Sequence, residues 1–226
     1  PSIATGVTAS TPPTTDGDRP TDETDETDDL GTGETPAAPA DLETYFIDAG
    51  VLEPCDDRED LCLTPAFETE WLAAIESVVD AGVDTEAVVE VFGFDGTPKE
   101  FELLERPQGA YALRFGTGAF GDGPRYNAGM WPSYAALVAD VAAVAPLESR
   151  LAEWDEYDSK QRGQLLNGVR MFLETCPTAE GGVELSEETV ESCCSSSTVV
   201  AVVCEETGER LFEHQLFDEQ GQPIRS

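Results

Sequence analysis

The chain has 226 residues, of which 12 are basic and 47 acidic, so it carries a net charge of −35 at pH 7. Its length and its 40% hydrophobic content suffice for one or two domains with a buried core. The charge opposes binding to nucleic acid backbones and anionic membranes. No stretch approaches the ~20 apolar residues of a membrane span. We therefore expect another protein as the partner, and neither a membrane nor a nucleic acid.

Residues 1–40 are rich in Thr, Asp, Glu, Pro and Gly and hold few residues that could be buried. They carry nine acidic residues and one arginine, which leaves a net −27 for the rest of the chain. Such a segment cannot offset its ordering entropy, so we predict a disordered, solubilising acidic tail. A Thr-rich stalk is the alternative if the protein is exported.

Residues 41–157 predict a mixed α+β domain. Good helix caps stand at Asp41, Thr64 and Asp84, and apolar residues follow each at helical spacing. The predicted elements are a helix over 42–49, a strand over 61–63, a helix over 65–81, a helix over 84–92, a hairpin of 99–105 and 110–115, a loop over 116–124, a helix that opens at 130–133 and ends at Ala145 before Pro146, and a short helix with Leu147, Leu151 and Trp154.

Residues 158–226 predict a helix followed by a β module. Asp158 and Gln161 have the spacing of a capping box, and the helix is expected to run from Ser159 to about Thr175. After it come two β-hairpins or their remnants, the second formed by residues 198–203 and 210–217 around a Glu-Glu-Thr-Gly turn.

Two cysteine-containing turns mark this module. Cys176 begins CPTAEGG and Cys204 begins CEETG, and each has the outline of a zinc knuckle that lacks its second cysteine. The module resembles a zinc ribbon, and the chain is similar to uncharacterised acidic proteins of halophilic archaea, in which molar salt screens the surface charge. The resemblance implies that Cys176 and Cys204 hold the first position of each knuckle, with Ala179 and Thr207 in the second, and that Gly181 and Gly208 are turn residues.

A structural zinc site needs four well-placed ligands, and half of the knuckle ligands are missing. We therefore predict a ribbon-like module without zinc, in which the cysteines are thiols. If zinc is bound, the candidate ligands are Cys176, Cys193, Cys194, Cys204 and His214. Two weaker alternatives are a Cys193–Cys194 redox pair and His214 acting as a base for Cys204.

Two further patterns carry less weight. Residues 116–121 match G-x-G-x-x-G, but no helix follows, so we predict a loop and no dinucleotide site. Cys55 and Cys62 would form a disulfide if the protein is exported, and otherwise remain thiols.

Together these patterns predict an α+β protein: a disordered tail (1–40), a mixed domain (41–157) and a helix with a degenerate zinc-ribbon-like β module (158–226). The favoured function is a non-enzymatic, cytoplasmic interaction or regulatory protein of a halophile, with the module as a docking element and no cofactor. The alternatives are a zinc-binding or thiol-redox protein, and an exported protein with a Thr/Asp/Glu-rich stalk.

Overall fold

The computed structural model describes residues 39, 41–116, 125–192 and 195–215, apart from the side chains of residues 125, 187–199, 214 and 215. Within these ranges the chain forms five α-helices and three antiparallel sheets, which confirms the α+β class. The helices are α1 (Leu42–Asp48), α2 (Pro65–Ala81), α3 (Thr85–Phe92), α4 (Tyr134–Glu148) and α5 (Ser159–Arg170). The strands are β1 (Leu52–Pro54), β2 (Leu61–Leu63), β3 (Phe101–Glu105), β4 (Tyr111–Gly116), β5 (Arg125–Trp131), β6 (Val183–Ser192), β7 (Ser195–Cys204) and β8 (Arg210–Gln215). The acidic tail predicted over 1–40 lies outside the described residues except at position 39.

The predicted caps start the first three helices. Asp41, Thr64 and Asp84 each accept a hydrogen bond from the backbone N–H three residues on, at 3.2, 3.4 and 2.9 Å. These bonds satisfy N–H groups that the first turn of a helix leaves free. The strand β1, which the sequence analysis missed, pairs with the predicted β2 between α1 and α2.

The helix α4 lies at the centre of the core and is buried on nearly all sides. The indole N–H of Trp71 on α2 donates to the carbonyl of Ala139 at 3.0 Å, which fixes α2 against it. Pro146 does not end the helix as predicted: α4 continues to Glu148, so Leu147 belongs to α4. Of the short helix predicted after it, a single 3₁₀ turn at Trp154–Glu156 is present. No helix among the described residues is long and apolar enough to cross a membrane.

The second sheet has the order β3-β4-β5. The β3–β4 hairpin confirms the prediction, but β5 corrects it, since Met130 and Trp131 end a strand and do not open a helix. The helix begins later because Ser133 is the true N-cap of α4 and accepts from the N–H of Ala136 at 3.0 Å. A bulge at Ala128 shifts the β4–β5 register, as Leu113 lies opposite Gly129 and Arg114 opposite Asn127.

The helix α5 begins at the predicted capping box: the Asp158 carboxylate accepts from the N–H of Gln161 at 2.8 Å, and the Gln161 side-chain oxygen accepts from the N–H of Asp158 at 2.9 Å. It ends at Arg170 and not near Thr175. Thr175 instead forms an antiparallel bridge with Gly182, so the chain has already turned toward the last sheet.

The third sheet has the order β6-β7-β8 and contains the hairpin predicted around the Glu-Glu-Thr-Gly turn. Ala201, Val203 and Leu211 are buried in this sheet. Strand β8 contacts both α4 and α5, so one face of the sheet closes the core.

Candidate functional site

Each of the two knuckle-like turns is closed by a hydrogen bond from the N–H of its cysteine to the carbonyl of the fifth residue after it. The N–H of Cys176 donates to the carbonyl of Gly181 at 3.1 Å, and the N–H of Cys204 donates to the carbonyl of Glu209 at 2.9 Å. Each turn also holds its predicted glycine at positive φ, +109° at Gly181 and +69° at Gly208, a conformation that L side chains rarely adopt. Two equivalent turns face each other at the base of the third sheet.

A disulfide joins these turns through Cys176 and Cys204, whose Cα atoms are 5.2 Å apart. The prediction that these two cysteines are free thiols is therefore wrong, and as a disulfide their sulfurs are not thiolate ligands. Ala179 and Thr207 occupy the second knuckle positions and supply no ligand.

The other candidate ligands are not brought together by any described contact. Cys193 and Cys194 lie outside the described residues, and His214 lies on β8 opposite Val200 of β7. Among the described residues, no three His, Cys, Asp or Glu side chains form a cluster that could hold a metal ion. The zinc, redox and base roles of these residues stay predictions.

A second disulfide joins Cys55 and Cys62 across the β1–β2 loop. Arg58 within this loop forms an ion pair with Glu174, two residues before Cys176. The disulfide predicted only for an exported protein is thus present, and a salt bridge connects its loop to the segment that carries the other disulfide.

Glu209 connects the third sheet to the N-terminus of the central helix. Its carboxylate accepts from the N–H of Ala135 at 3.1 Å and from the hydroxyl of Thr178 at 2.5 Å. The hydroxyl of Ser133 donates to the carbonyl of Arg210 at 2.6 Å. A carboxylate at a helix N-terminus satisfies free N–H groups and the helix dipole, so these contacts fix the turn after Cys204 on α4.

A buried ion pair lies on the other side of α4. Asp140 of α4 and Arg170 of α5 are 3% and 4% exposed and in direct contact. Trp131 donates its indole N–H to Asp140 at 2.9 Å, and Arg170 also donates to the carbonyl of Leu211 and to Asn167. Burial raises the pKa of Asp140, and the charge of Arg170 and its hydrogen bonds oppose the rise. The group joins β5, α4, α5 and β8.

An open cleft of about 360 Å³ lies above this ion pair, between β5 and α5. One wall is formed by residues 128–131 of β5, and the other is the face of α5 that carries Lys160, Gly163 and Gln164. Phe92 and Phe94 close one side. Sequence reasoning missed this cleft because its walls come from three distant parts of the chain.

The described residues thus form a small α+β protein in which a disulfide joins two knuckle-like turns. The chain belongs to a family of unknown function (DUF8054): residues 41–171 match its central domain and residues 174–214 its C-terminal domain. No curated protein and no solved structure matches the chain. The G-x-G-x-x-G motif lies outside the described residues except for Gly116, the last residue of β4.

Proposed function

We propose that this protein is a non-enzymatic interaction protein whose C-terminal module is a ribbon-like docking element without metal. The observation that carries the proposal is the Cys176–Cys204 disulfide, which links the two turns that a zinc ion would otherwise hold. A covalent link between these turns makes a bound metal unnecessary for holding them together.

The exposed face of the third sheet supports docking. Leu185, Val202 and Phe212 are register partners across β6, β7 and β8 and share one face. Leu185 is 73% exposed, whereas Val202 and Phe212 are half-buried and Val202 packs in part against the core. The opposite face carries the buried Ala201 and Val203. An apolar row on a sheet face is the kind of surface with which another protein packs.

The two disulfides bear on the location of the protein. Disulfides persist in oxidising compartments, whereas most cytosolic proteins keep their thiols reduced. This supports the exported alternative, with residues 1–40 as a stalk, over the cytoplasmic location expected from the sequence. The net charge of −35 still supports a protein adapted to high salt, because a salt-rich exterior screens charge as well as a salt-rich cytosol does.

Metal and thiol analysis of the native protein, purified without reductant, tests the proposal. We expect well below one zinc per chain, and Cys176 and Cys204 should react with a thiol reagent only after reduction. One tightly held zinc per chain, lost in both Cys176→Ser and Cys204→Ser, would instead support the zinc-binding alternative.

A matched pair of surface variants tests docking. A partner is captured with the full chain, identified by mass spectrometry and purified. Leu185→Glu should then weaken its binding, whereas Val79→Glu, the same change at a 41% exposed position on α2, should not. Equal binding by both variants would remove the sheet face from the proposal.

A further inference from the structure

Strand β5 has one paired edge and one open edge. It pairs with β4 and is the last strand of its sheet. No described group forms a hydrogen bond to its other backbone edge. Proteins usually cover such edges, because unpaired N–H and C=O groups invite another strand. Here the edge between Ala128 and Trp131 instead borders the cleft.

The opposite wall leaves room for a chain. Gly163 of α5 faces the cleft, and a Cβ atom built there would meet no atom within 4 Å. Met130 on the strand side is 65% exposed. At about 360 Å³, the space between strand and helix has the size of a small ligand site.

The cleft also differs in charge from the rest of the molecule. Its charged lining residues are Lys160, Arg170 and Asp140, and the last two neutralise each other. Lys160, one of two lysines in the chain, is exposed and forms no ion pair with a described residue. The lining therefore carries one positive charge in a protein of net charge −35.

We propose that this cleft binds an extended peptide segment of a partner protein, which adds to β5 as a further strand. Main-chain hydrogen bonds to alternate residues of the β5 edge would hold it. An apolar side chain would pack against Phe94 and Met130, and an acidic side chain would face Lys160.

The bulge at Ala128 limits the length of this pairing. A bulge interrupts the regular spacing of edge hydrogen bonds, so the added strand can pair only with Gly129, Met130 and Trp131. This agrees with a cleft whose strand wall is residues 128–131. The cleft would thus recognise a short sequence motif in the partner, independently of the docking face on the third sheet.

Selection from a random peptide library on the full chain, with its disulfides intact and in molar potassium chloride, tests the proposal. Selected peptides should share an apolar and an acidic position. Methylating the backbone nitrogen that faces β5 should weaken binding by about tenfold or more, the equivalent of about 1.4 kcal/mol. Methylating the next nitrogen, which points away from β5, should have little effect. This comparison uses the unaltered protein.

Variants locate the site. Gly163→Trp should fill the cleft and abolish binding, whereas Gly163→Ala, which removes the same helix glycine without filling the cleft, should bind like the parent chain. Lys160→Gln should weaken binding of the acidic peptide more than it weakens binding of the same peptide with the acidic side chain replaced by its amide. On peptide binding, the amides among residues 129–131 that point away from β4 should exchange more slowly with solvent.

Three results would overturn the proposal. The first is a failure to select any peptide, and the second is a peptide affinity that neither of the two nitrogen methylations changes. The third is a dimer of the parent chain that Gly163→Trp dissociates, because the cleft would then hold a second copy of this chain.

Discussion

At the scale of single residues, the buried Asp140–Arg170 ion pair is the part of the core that we expect to be most sensitive to substitution. Arg170→Met should cost about 3–5 kcal/mol, because it leaves a buried carboxylate without its partner. The double variant Asp140→Leu/Arg170→Met should cost less than the two single variants together, since it leaves neither charge unpaired. Urea denaturation measures all three.

The Glu70–Arg150 pair provides the control. Glu70 is about half exposed and its ion pair with Arg150 is 2.7 Å long, so Glu70→Gln should destabilise the protein far less than Arg170→Met does. Additive effects of the two core substitutions would contradict the proposed coupling between Asp140 and Arg170.

Gly129 is a second residue with a specific role. A Cβ atom at this position would lie 2.7 Å from the outer ring of Trp131, and that ring cannot move easily because its N–H is bonded to Asp140. Gly129→Ala should therefore destabilise the protein by about 1–3 kcal/mol. Gly163→Ala, at an open helical position, should instead stabilise it by up to about 1 kcal/mol. Thermal melts compare the two, and equal melting temperatures would show that the contact is easily relieved.

At the scale of elements, the disulfides differ in the length of chain that they close. Cys176 and Cys204 are 28 residues apart and Cys55 and Cys62 are 7 apart. The loop-entropy model gives about 3–4 kcal/mol for the longer loop and about 2–3 kcal/mol for the shorter. The double serine variant at 176 and 204 should therefore lose more stability than the one at 55 and 62. The reverse order in denaturant melts would mean that native contacts outweigh loop length.

The elements that sequence predicted well are those fixed by local chemistry. The caps at Asp41, Thr64 and Asp158 are short-range hydrogen bonds, so their residue types and spacing predict them. Strand β5 was missed because a glycine-rich sequence separates it from its partner β4 and because the Ser133 cap follows a strand and not a loop. Pro146 lies in the last turn of α4, where the helix tolerated it.

For the candidate site, too, sequence predicted only the features that depend on local chemistry. Repeated turn chemistry predicted that Cys176 and Cys204 hold equivalent positions, but not that they form a bond. Arg170 could not be identified as a core residue, because its partners Asp140 and Leu211 are distant in sequence. The cleft depends on the docking of α5 beside β5, for which no local pattern exists.

At the scale of the whole molecule, charge dominates. Even without residues 1–40 the chain carries −27, and this self-repulsion opposes the compact state. We expect the melting temperature to rise as potassium chloride increases from low to molar concentration, where the Debye length falls to ~3 Å. An uncharged osmolyte at low concentration should not raise the melting temperature as steeply as potassium chloride does, because it does not screen charge. A fold equally stable at low salt would contradict the proposed adaptation to high salt.

The covalent bond between the two turns has a consequence for how the molecule matures. A zinc-dependent module folds when zinc binds, and a chelator that removes the zinc unfolds it again. This module is instead finished by a chemical oxidation that requires Cys176 and Cys204 to meet first. The amount of correctly folded protein obtained from an expression host therefore depends on the presence of an oxidant and not on the supply of metal. Chain made in a reducing cytosol would lack this bond, whereas oxidised chain would keep it in compartments that contain no disulfide reductant.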